Sequence, residues 1–324
     1  MMHTIEEVYK TLQDQGVESR ILRAAEAYVF PDKSAPGFQP VPGLVTVVTV
    51  CLNGERYLQG AIDSVRKQTY PHIEHIIVDA ESKDSTHAII RAANSVTVAI
   101  SLRDRGIADG FNRGVALAQG EFVAFHNVDD LWPADHIAKS VAALHAAADC
   151  AFVYGDLVRF DEEHGQIYMV KGEPSLAHAV SSWPPEFNHP SFLTRYAVFE
   201  RHGLFSLDYR VCMDLDWLVR LLQHGEKGVY AEDNWVLMRC GGISDNARLM
   251  YRDVASILKK AGVPPTKVDL MCLRASLKTR IKSVLGSVLG QKAVSRIKHR
   301  LNPNVVAPDG ARLQSACLLL DQSS

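Results

Sequence analysis

Two adjacent carboxylates, Asp129 and Asp130, follow closely on the apolar run Phe122-Val123-Ala124-Phe125, with His126, Asn127 and Val128 between. Charges at the end of a buried strand repel one another and lose hydration, so a cation or a cationic substrate is needed to make them tolerable. A divalent ion bridging to a diphosphate meets that need. The alternative is that the pair caps a helix opened by Trp132-Pro133-Ala134-Asp135, with Pro133 near its first turn. A third acid, Asp214, follows Val211-Cys212-Met213 and precedes Leu215. At a helix start against a hydrophobic wall, partial burial raises a carboxyl pKa toward the range of a general base, although a plain N-cap fits the position equally. Asp79 ends the run Ile76-Ile77-Val78, where a carboxylate can accept from a base or ribose, or where Asp79 and Asp84 stabilise a turn and cap the helix from Ser85. Arg105 precedes a helix starting near Ile107, a place for a guanidinium and free N–H groups to meet phosphate oxygens, or for a solvated loop arginine. Asp109 and Asn112 share one face of that helix, toward a ligand or toward water.

The elements that must carry these residues alternate. The patterning predicts strand at 45–51, helix at 55–67, strand at 73–78, helix at 85–93, strand at 96–101, helix at 107–118 and strand at 121–125. Short connections between such elements imply right-handed crossovers and an α/β fold, a Rossmann-like, mostly parallel sheet flanked by helices. Ligands bind such sheets at the carboxyl ends of their strands, where the candidate residues fall. Beyond Ala148 the pattern changes to a strand at 151–158, a hairpin around Glu163-His164-Gly165, a Trp183-Pro184-Pro185 loop and a helix at 214–223. Residues 1–30 read as an amphipathic helix and 31–43 as a Pro/Gly linker, giving a helical extension and linker (1–43), a main domain (44–246) and a helical, basic extension (247–324).

With 47% hydrophobic and 22% charged residues the chain is of ordinary globular composition, and its net charge of −2 gives no global pull toward nucleic acid or membrane. Six scattered cysteines show no zinc or redox spacing, which fits a reduced, cytoplasmic setting. The first residues lack the basic start and apolar core of a secretory signal, and no run approaches the roughly 20 apolar residues of a membrane span. Residues 267–300 nevertheless carry nine Lys or Arg against one acid, Asp269, with apolar residues at helical spacing between them. Such a segment can lie on the inner face of an anionic plasma membrane as a peripheral contact, or pack as an ordinary surface helix.

Taken together, Thr49-Val50-Cys51-Leu52-Asn53, Asp79 to Thr86, Asp104-Arg105-Gly106-Ile107 through Asn112-Arg113-Gly114, and Asn127-Val128-Asp129-Asp130 resemble the family-2 glycosyltransferases in wording, order and spacing. Asn188-His189-Pro190-Ser191-Phe192, Met213-Asp214-Leu215-Asp216-Trp217 and Gly241-Gly242-Ile243-Ser244 resemble the acceptor-side and closing motifs of the branch that builds bacterial exopolysaccharide, capsule and lipopolysaccharide. The resemblance implies a GT-A fold and inverting transfer from a nucleotide-diphospho sugar to a hydroxyl of a glycan or lipid-linked glycan acceptor. It assigns nucleotide-sugar contacts to Thr49, Asn53, Asp79, Arg105, Asp109, Asn112 and Asp129, and an Mg2+ or Mn2+ ligand to Asp130. Asp214 becomes the catalytic base, and His189 and Ser191 contact acceptor or diphosphate. The chain departs from the family at Cys51 and Leu52, where members carry a hydroxyl residue and then an aromatic, so a stacking surface for the base is missing.

Rival readings are a sugar-phosphate nucleotidyltransferase and a catalytically weak or inactive sugar-nucleotide-binding assembly subunit. Asn53-Gly54-Glu55-Arg56 is a poor match to the glycine-rich basic loop of the first, and the intact Asp130 and Asp214 argue against the second. No G-x-G-x-x-G follows the first strand, which disfavours a dehydrogenase.

Overall fold

The computed structural model describes residues 3–33, 37–176, 188–242, 246–289 and 305–323, without the side chains of 278–289. The Trp183-Pro184-Pro185 loop and Ile243-Ser244 lie outside the described residues. Helix α1 (Ile5–Asp14) opens on a capping box between Thr4 and Glu7. The reading of 1–30 as one helix is corrected after it. Gly16, at φ 72°, turns the chain into a 3-10 turn and then strand β1 (Ile21–Ala24), which pairs antiparallel with β4 (Val98–Ser101). A lone four-residue strand is stable only because an edge was waiting for it, which local pattern does not reveal.

The alternating region forms as the patterning predicts. Strands β2 (Val41–Cys51), β3 (Ile73–Asp79), β4 and β5 (Gly120–Asn127) are parallel in the order β4-β3-β2-β5. Helices α2 (Leu58–Arg66), α3 (Thr86–Ala92) and α4 (Ile107–Leu117) connect them. Val47 and Val48 point to opposite faces of β2 and both are fully buried, as in a sheet covered on two sides. β2 starts earlier than its apolar run, with an irregular register between Val41 and Val45 and Gly43 at φ 70°. The registers Cys51↔Asp79, Asp79↔Ser101 and Val50↔Asn127 bring all four strand ends to one edge.

Helix α5 (His136–Ala146) begins only after Pro133, with Asp135 at its N-cap, so Asp129 and Asp130 do not cap it. Leu131 instead bridges to Leu237, exchanging both backbone hydrogen bonds. The second half extends the sheet with β6 (Phe152–Asp161), β7 (Gln166–Val170), β8 (Leu193–Arg195) and β9 (Gly228–Arg239). β8 lies antiparallel between β5 and β6, β7 forms the expected hairpin with β6, and β9 runs parallel to β6. Helices α6 (Ala197–His202) and α7 (Met213–Gln223) follow β8, and Trp217 of α7 is fully buried against Phe199.

The C-terminal residues are more than a helical extension. After α8 (Ala247–Lys260) and α9 (Pro265–Leu289), β10 (Val305–Val306) joins β7 and α10 (Gly310–Asp321) closes a cluster with Leu131, Val158, Trp235 and Leu237. A long-range ion pair also joins α10 to the sheet, Arg312 Nη1 to the buried Asp156 at 3.0 Å.

Candidate active site

The end of β5 forms a tight turn in which the Asp130 N–H donates to the Asn127 carbonyl (3.1 Å) and Asn127 Nδ2 donates to Asp130 Oδ2 (2.8 Å). Asp130 is 1% exposed and Asp129 half-buried. Burial, and then the charge of Asp129, hold the Asp130 carboxyl well above the usual carboxylate range. Asp129 is raised as well, mainly by burial, with Arg239 opposing the shift. The two acids, beside an Asn127 Oδ1 with no hydrogen-bond partner among the described residues, form a hard-oxygen donor set. That set fits a divalent ion whose remaining ligands are water or phosphate oxygens. Among the described residues no group of three or more His, Cys, Asp or Glu could hold a metal by itself.

Asp214 sits at the second position of α7 and is not its N-cap, which is Cys212. Its Oδ1 accepts the Leu215 N–H at 2.8 Å and its Oδ2 is 3.9 Å from His189 Nδ1. Its side chain is 23% exposed, and burial pushes its carboxyl up to about 7 against the opposing backbone hydrogen bonds. His189, nearly buried, stacks on Phe125 of β5 with ring centroids 5.4 Å apart, and burial lowers its pKa to about 3. His189 thus lies between Asp214 and Phe125, on the strand that ends in the acidic turn. Asp216, by contrast, is paired with Arg220 at 3.0 Å, and Arg220 also donates to the His202 and Leu204 carbonyls.

The other candidate residues turn toward the protein. Both atoms of the Asn112 amide are engaged by Phe205, accepting its N–H and donating to its carbonyl, each at 2.9 Å. Asp109 pairs with Arg113 at 3.1 Å and accepts the Arg105 N–H, while the Arg105 side chain is largely exposed. The helix face read as ligand-facing thus braces α4 against its surroundings. Asn53, at φ 52°, donates its N–H to Ser82 Oγ and accepts the Lys83 N–H, joining the β2 and β3 loops. Ser191 donates to the Asn188 carbonyl and accepts the Gly155 N–H, tying its turn to β6. Thr49 is fully buried between two histidines, His75 at 2.9 Å and His126 at 3.1 Å. Asp79 accepts from the Ser82 N–H and hydroxyl, from Ser101 Oγ at 2.6 Å and from His87 Nε2 at 2.8 Å. Of those donors His87, with a side chain 30% exposed, is the most open to replacement by a ligand.

Residues 46–207, half of the chain, match the model of Glycosyl transferase family 2. The chain belongs to this family. It is 33% identical over 115 residues to the putative teichuronic acid biosynthesis glycosyltransferase TuaG of Bacillus subtilis (strain 168), covering 34% of this chain and 45% of that one. It is 30% identical over 182 residues to a PGL/p-HBAD biosynthesis glycosyltransferase of Mycobacterium bovis (strain BCG / Pasteur 1173P2), covering 55% of this chain and 69% of that one. The chain thus spans less than half of the first relative and about two thirds of the second. The mannosyltransferase PcManGT from Pyrobaculum calidifontis, solved with GDP-Man and Mn2+, superimposes with a TM-score of 0.55 at 16% identity, covering 98% of this chain and 97% of that one. S. aureus TarS 1–349 in complex with UDP-GlcNAc gives 0.50 at 16% identity, covering 71% and 70%. At such identities the likeness establishes the shared GT-A fold.

This family-2 glycosyltransferase also places residues at the strand ends that the motifs do not single out. Arg239, at the end of β9, is 8% exposed, lies over the rings of Tyr57 and Phe160, donates to Ser323 Oγ and opposes the charge of Asp129 in the β5 turn. Its signal in the sequence is a lone arginine ending the run Trp235-Val236-Leu237-Met238. His75 and His126 carry a similar signal, each a polar ring beside the apolar run of a doubly covered strand. Leu52, singled out in the sequence as a departure from the resembled motif, is 59% exposed.

Proposed function

We propose that this glycosyltransferase transfers a sugar from a nucleotide-diphospho sugar to a hydroxyl of a glycan or lipid-linked glycan acceptor, with inversion at the anomeric carbon. The observation that carries the reading is Asp214, a carboxyl that burial pushes up to about 7, beside a His189 ring stacked on Phe125 of the strand that ends in the acidic turn. Asp214 takes the proton of the acceptor hydroxyl as its oxygen bonds to the anomeric carbon on the face opposite the diphosphate, and the bond from that carbon to the diphosphate oxygen breaks. Asp130 would hold Mg2+ or Mn2+, which when bound would neutralise charge growing on the departing diphosphate. Arg105, exposed before α4, would meet phosphate, and Asp129 ribose or sugar. A base reaching Asp79 replaces His87. Thr49, Asn53, Asp109, Asn112 and Ser191 support the reading as the scaffold of the loops around the donor.

Donor hydrolysis tests this. With Mn2+ or Mg2+ and a panel of UDP-, GDP- and dTDP-sugars, release of nucleoside diphosphate is expected from one donor class, and Asp130→Ala should lower it by at least about a hundredfold, the loss of several kcal/mol of leaving-group stabilisation. Silence across the panel together with no donor-induced thermal shift would sink the transferase reading in favour of an assembly subunit.

Membrane contact belongs to the same proposal. No helix of the described residues is long and apolar enough to cross a membrane. On α9, however, Leu270, Leu273 and Leu277 recur at helical spacing and are 46%, 66% and 57% exposed, within the basic stretch read from the sequence. Leucines in that arrangement among lysines and arginines suit an anionic lipid surface. Vesicles containing phosphatidylglycerol should sediment the protein, and replacing the three leucines by Ser should lower partitioning at least tenfold. Equal sedimentation of both proteins would remove the membrane from the proposal.

A further inference from the structure

A chain of buried polar groups crosses three adjacent strands beneath the acidic turn. His75 on β3, Thr49 on β2 and His126 on β5 are each no more than 1% exposed. His75 Nε2 lies 2.9 Å from Thr49 Oγ1, Thr49 Oγ1 lies 3.1 Å from His126 Nδ1, and His126 Nε2 lies 3.0 Å from the main-chain carbonyl oxygen of Asp130. Both rings are buried away from water, with a hydroxyl and a main-chain carbonyl rather than a carboxylate as their hydrogen-bond partners, an environment that holds imidazole neutral.

Neutral rings leave a single direction for the chain. A carbonyl only accepts, so His126 Nε2 carries its proton and donates to Asp130, which makes His126 Nδ1 an acceptor. The Thr49 hydroxyl must therefore donate to Nδ1, and His75 Nε2–H donates to Thr49. The bare atom at the far end is then His75 Nδ1, an acceptor, and it has no partner among the described residues. Every proton in the series His75–Thr49–His126 points toward the turn, and neither ring N–H of the series is left unpaired.

A fully apolar pack would fill this layer without desolvating imidazoles. Three polar side chains committed in sequence to one carbonyl have a different consequence: they fix the tautomer and orientation of His126. The turn is pinned by this bond and by the buried Leu131–Leu237 bridge that follows it. We propose that His126, oriented by Thr49 and His75, is a positioning residue that sets the geometry of the Asp129–Asp130 turn and hence its affinity for a divalent cation. The inference rests on the reading of Asp130 as a metal ligand, and it moves Thr49 from nucleotide contact to support of the metal turn.

Mn2+ binding measures this apart from turnover. Free Mn2+ is followed by electron paramagnetic resonance during titration of the full chain, alone and with UDP or GDP, and unfolding is followed by urea in parallel. Asp130→Ala establishes the site first. Thr49→Val, which removes the hydroxyl at nearly constant volume, and His126→Leu are each expected to weaken Mn2+ binding about 10- to 100-fold, the usual effect of losing an outer-shell partner. Thr49→Ser and His126→Gln, which keep a hydroxyl and an N–H donor, should stay within a few-fold of the wild type. Variants that are less stable but bind Mn2+ as the wild type does would overturn the positioning role while leaving Asp130 as ligand. A wild type whose Mn2+ binding is absent or unaffected by Asp130→Ala would overturn the metal reading itself, and the proposal with it.

Discussion

Asp214→Asn is expected to lower kcat by about 10²- to 10⁴-fold, the contribution of a positioned general base, while making the protein more stable above neutral pH. Both effects have one source. Burial holds the Asp214 carboxyl up to about 7, so the group is poised to take a proton near pH 7 at the expense of the folded state, which must carry a poorly solvated charge once it ionises. The folded pKa lies above the unfolded one, so the folded protein binds more protons between roughly pH 4 and 7, and stability falls as pH rises through that window. Above it the full penalty is present, on the order of 1–4 kcal/mol for a shift of this size in a partly solvated side chain. An asparagine keeps the oxygen that accepts the Leu215 N–H and carries no charge, so its urea midpoint should exceed the wild-type value at pH 8 and converge with it near pH 4. In the wild type, kcat/KM should fall tenfold per unit below about pH 7, and the residual activity of the variant should lack that limb. An asparagine variant that retains kcat would remove Asp214 from the base role. Lost activity with unchanged stability would show that the carboxylate is better solvated than its surroundings indicate.

The position of Asp214 was legible in the sequence because an acid after Val211-Cys212-Met213 breaks a hydrophobic pattern where a helix starts. The strands and helices of the alternating region were legible for a related reason: residues such as Val45, Val47, Val48, Phe122 and Val123 must be apolar when a sheet is covered on both faces. Directions of polar side chains were not. Asn112 and Asp109 share a helix face by spacing, yet Asn112 is committed to Phe205, 93 residues away, and Asp109 to Arg113 and Arg105. Motif residues such as Thr49, Asn53 and Ser191 have types able to bind a ligand, and those same donors and acceptors also serve to join loops. Only long-range partners decide between the two. The same limit hid β1, whose pairing edge lies on β4, and the return of the C-terminal chain, whose anchor Asp156 is 156 residues from Arg312.

That anchor should have the largest effect on folding. Arg312→Met is expected to destabilise the protein by about 3–5 kcal/mol, because it leaves Asp156 a buried charge without its cation. Asp156 is fully buried, and besides Arg312 it accepts the Gly172 N–H at 2.9 Å and the Tyr230 hydroxyl at 2.6 Å. Two neutral donors do not offset a desolvated charge. Combining Arg312→Met with Asp156→Asn keeps an oxygen for Gly172 and Tyr230 and removes the charge, so the double variant should recover much of the loss, and the coupling is read from urea midpoints of the four proteins. The defect should also reach the candidate active site. α10 ends beside Ser323, whose hydroxyl accepts from Arg239, the cation that opposes Asp129 of the β5 turn. Loosening α10 should therefore raise the KM for donor in whatever fraction stays folded. A single-variant loss below about 1 kcal/mol would mean that the helix detaches at little cost and that the ion pair does not hold it.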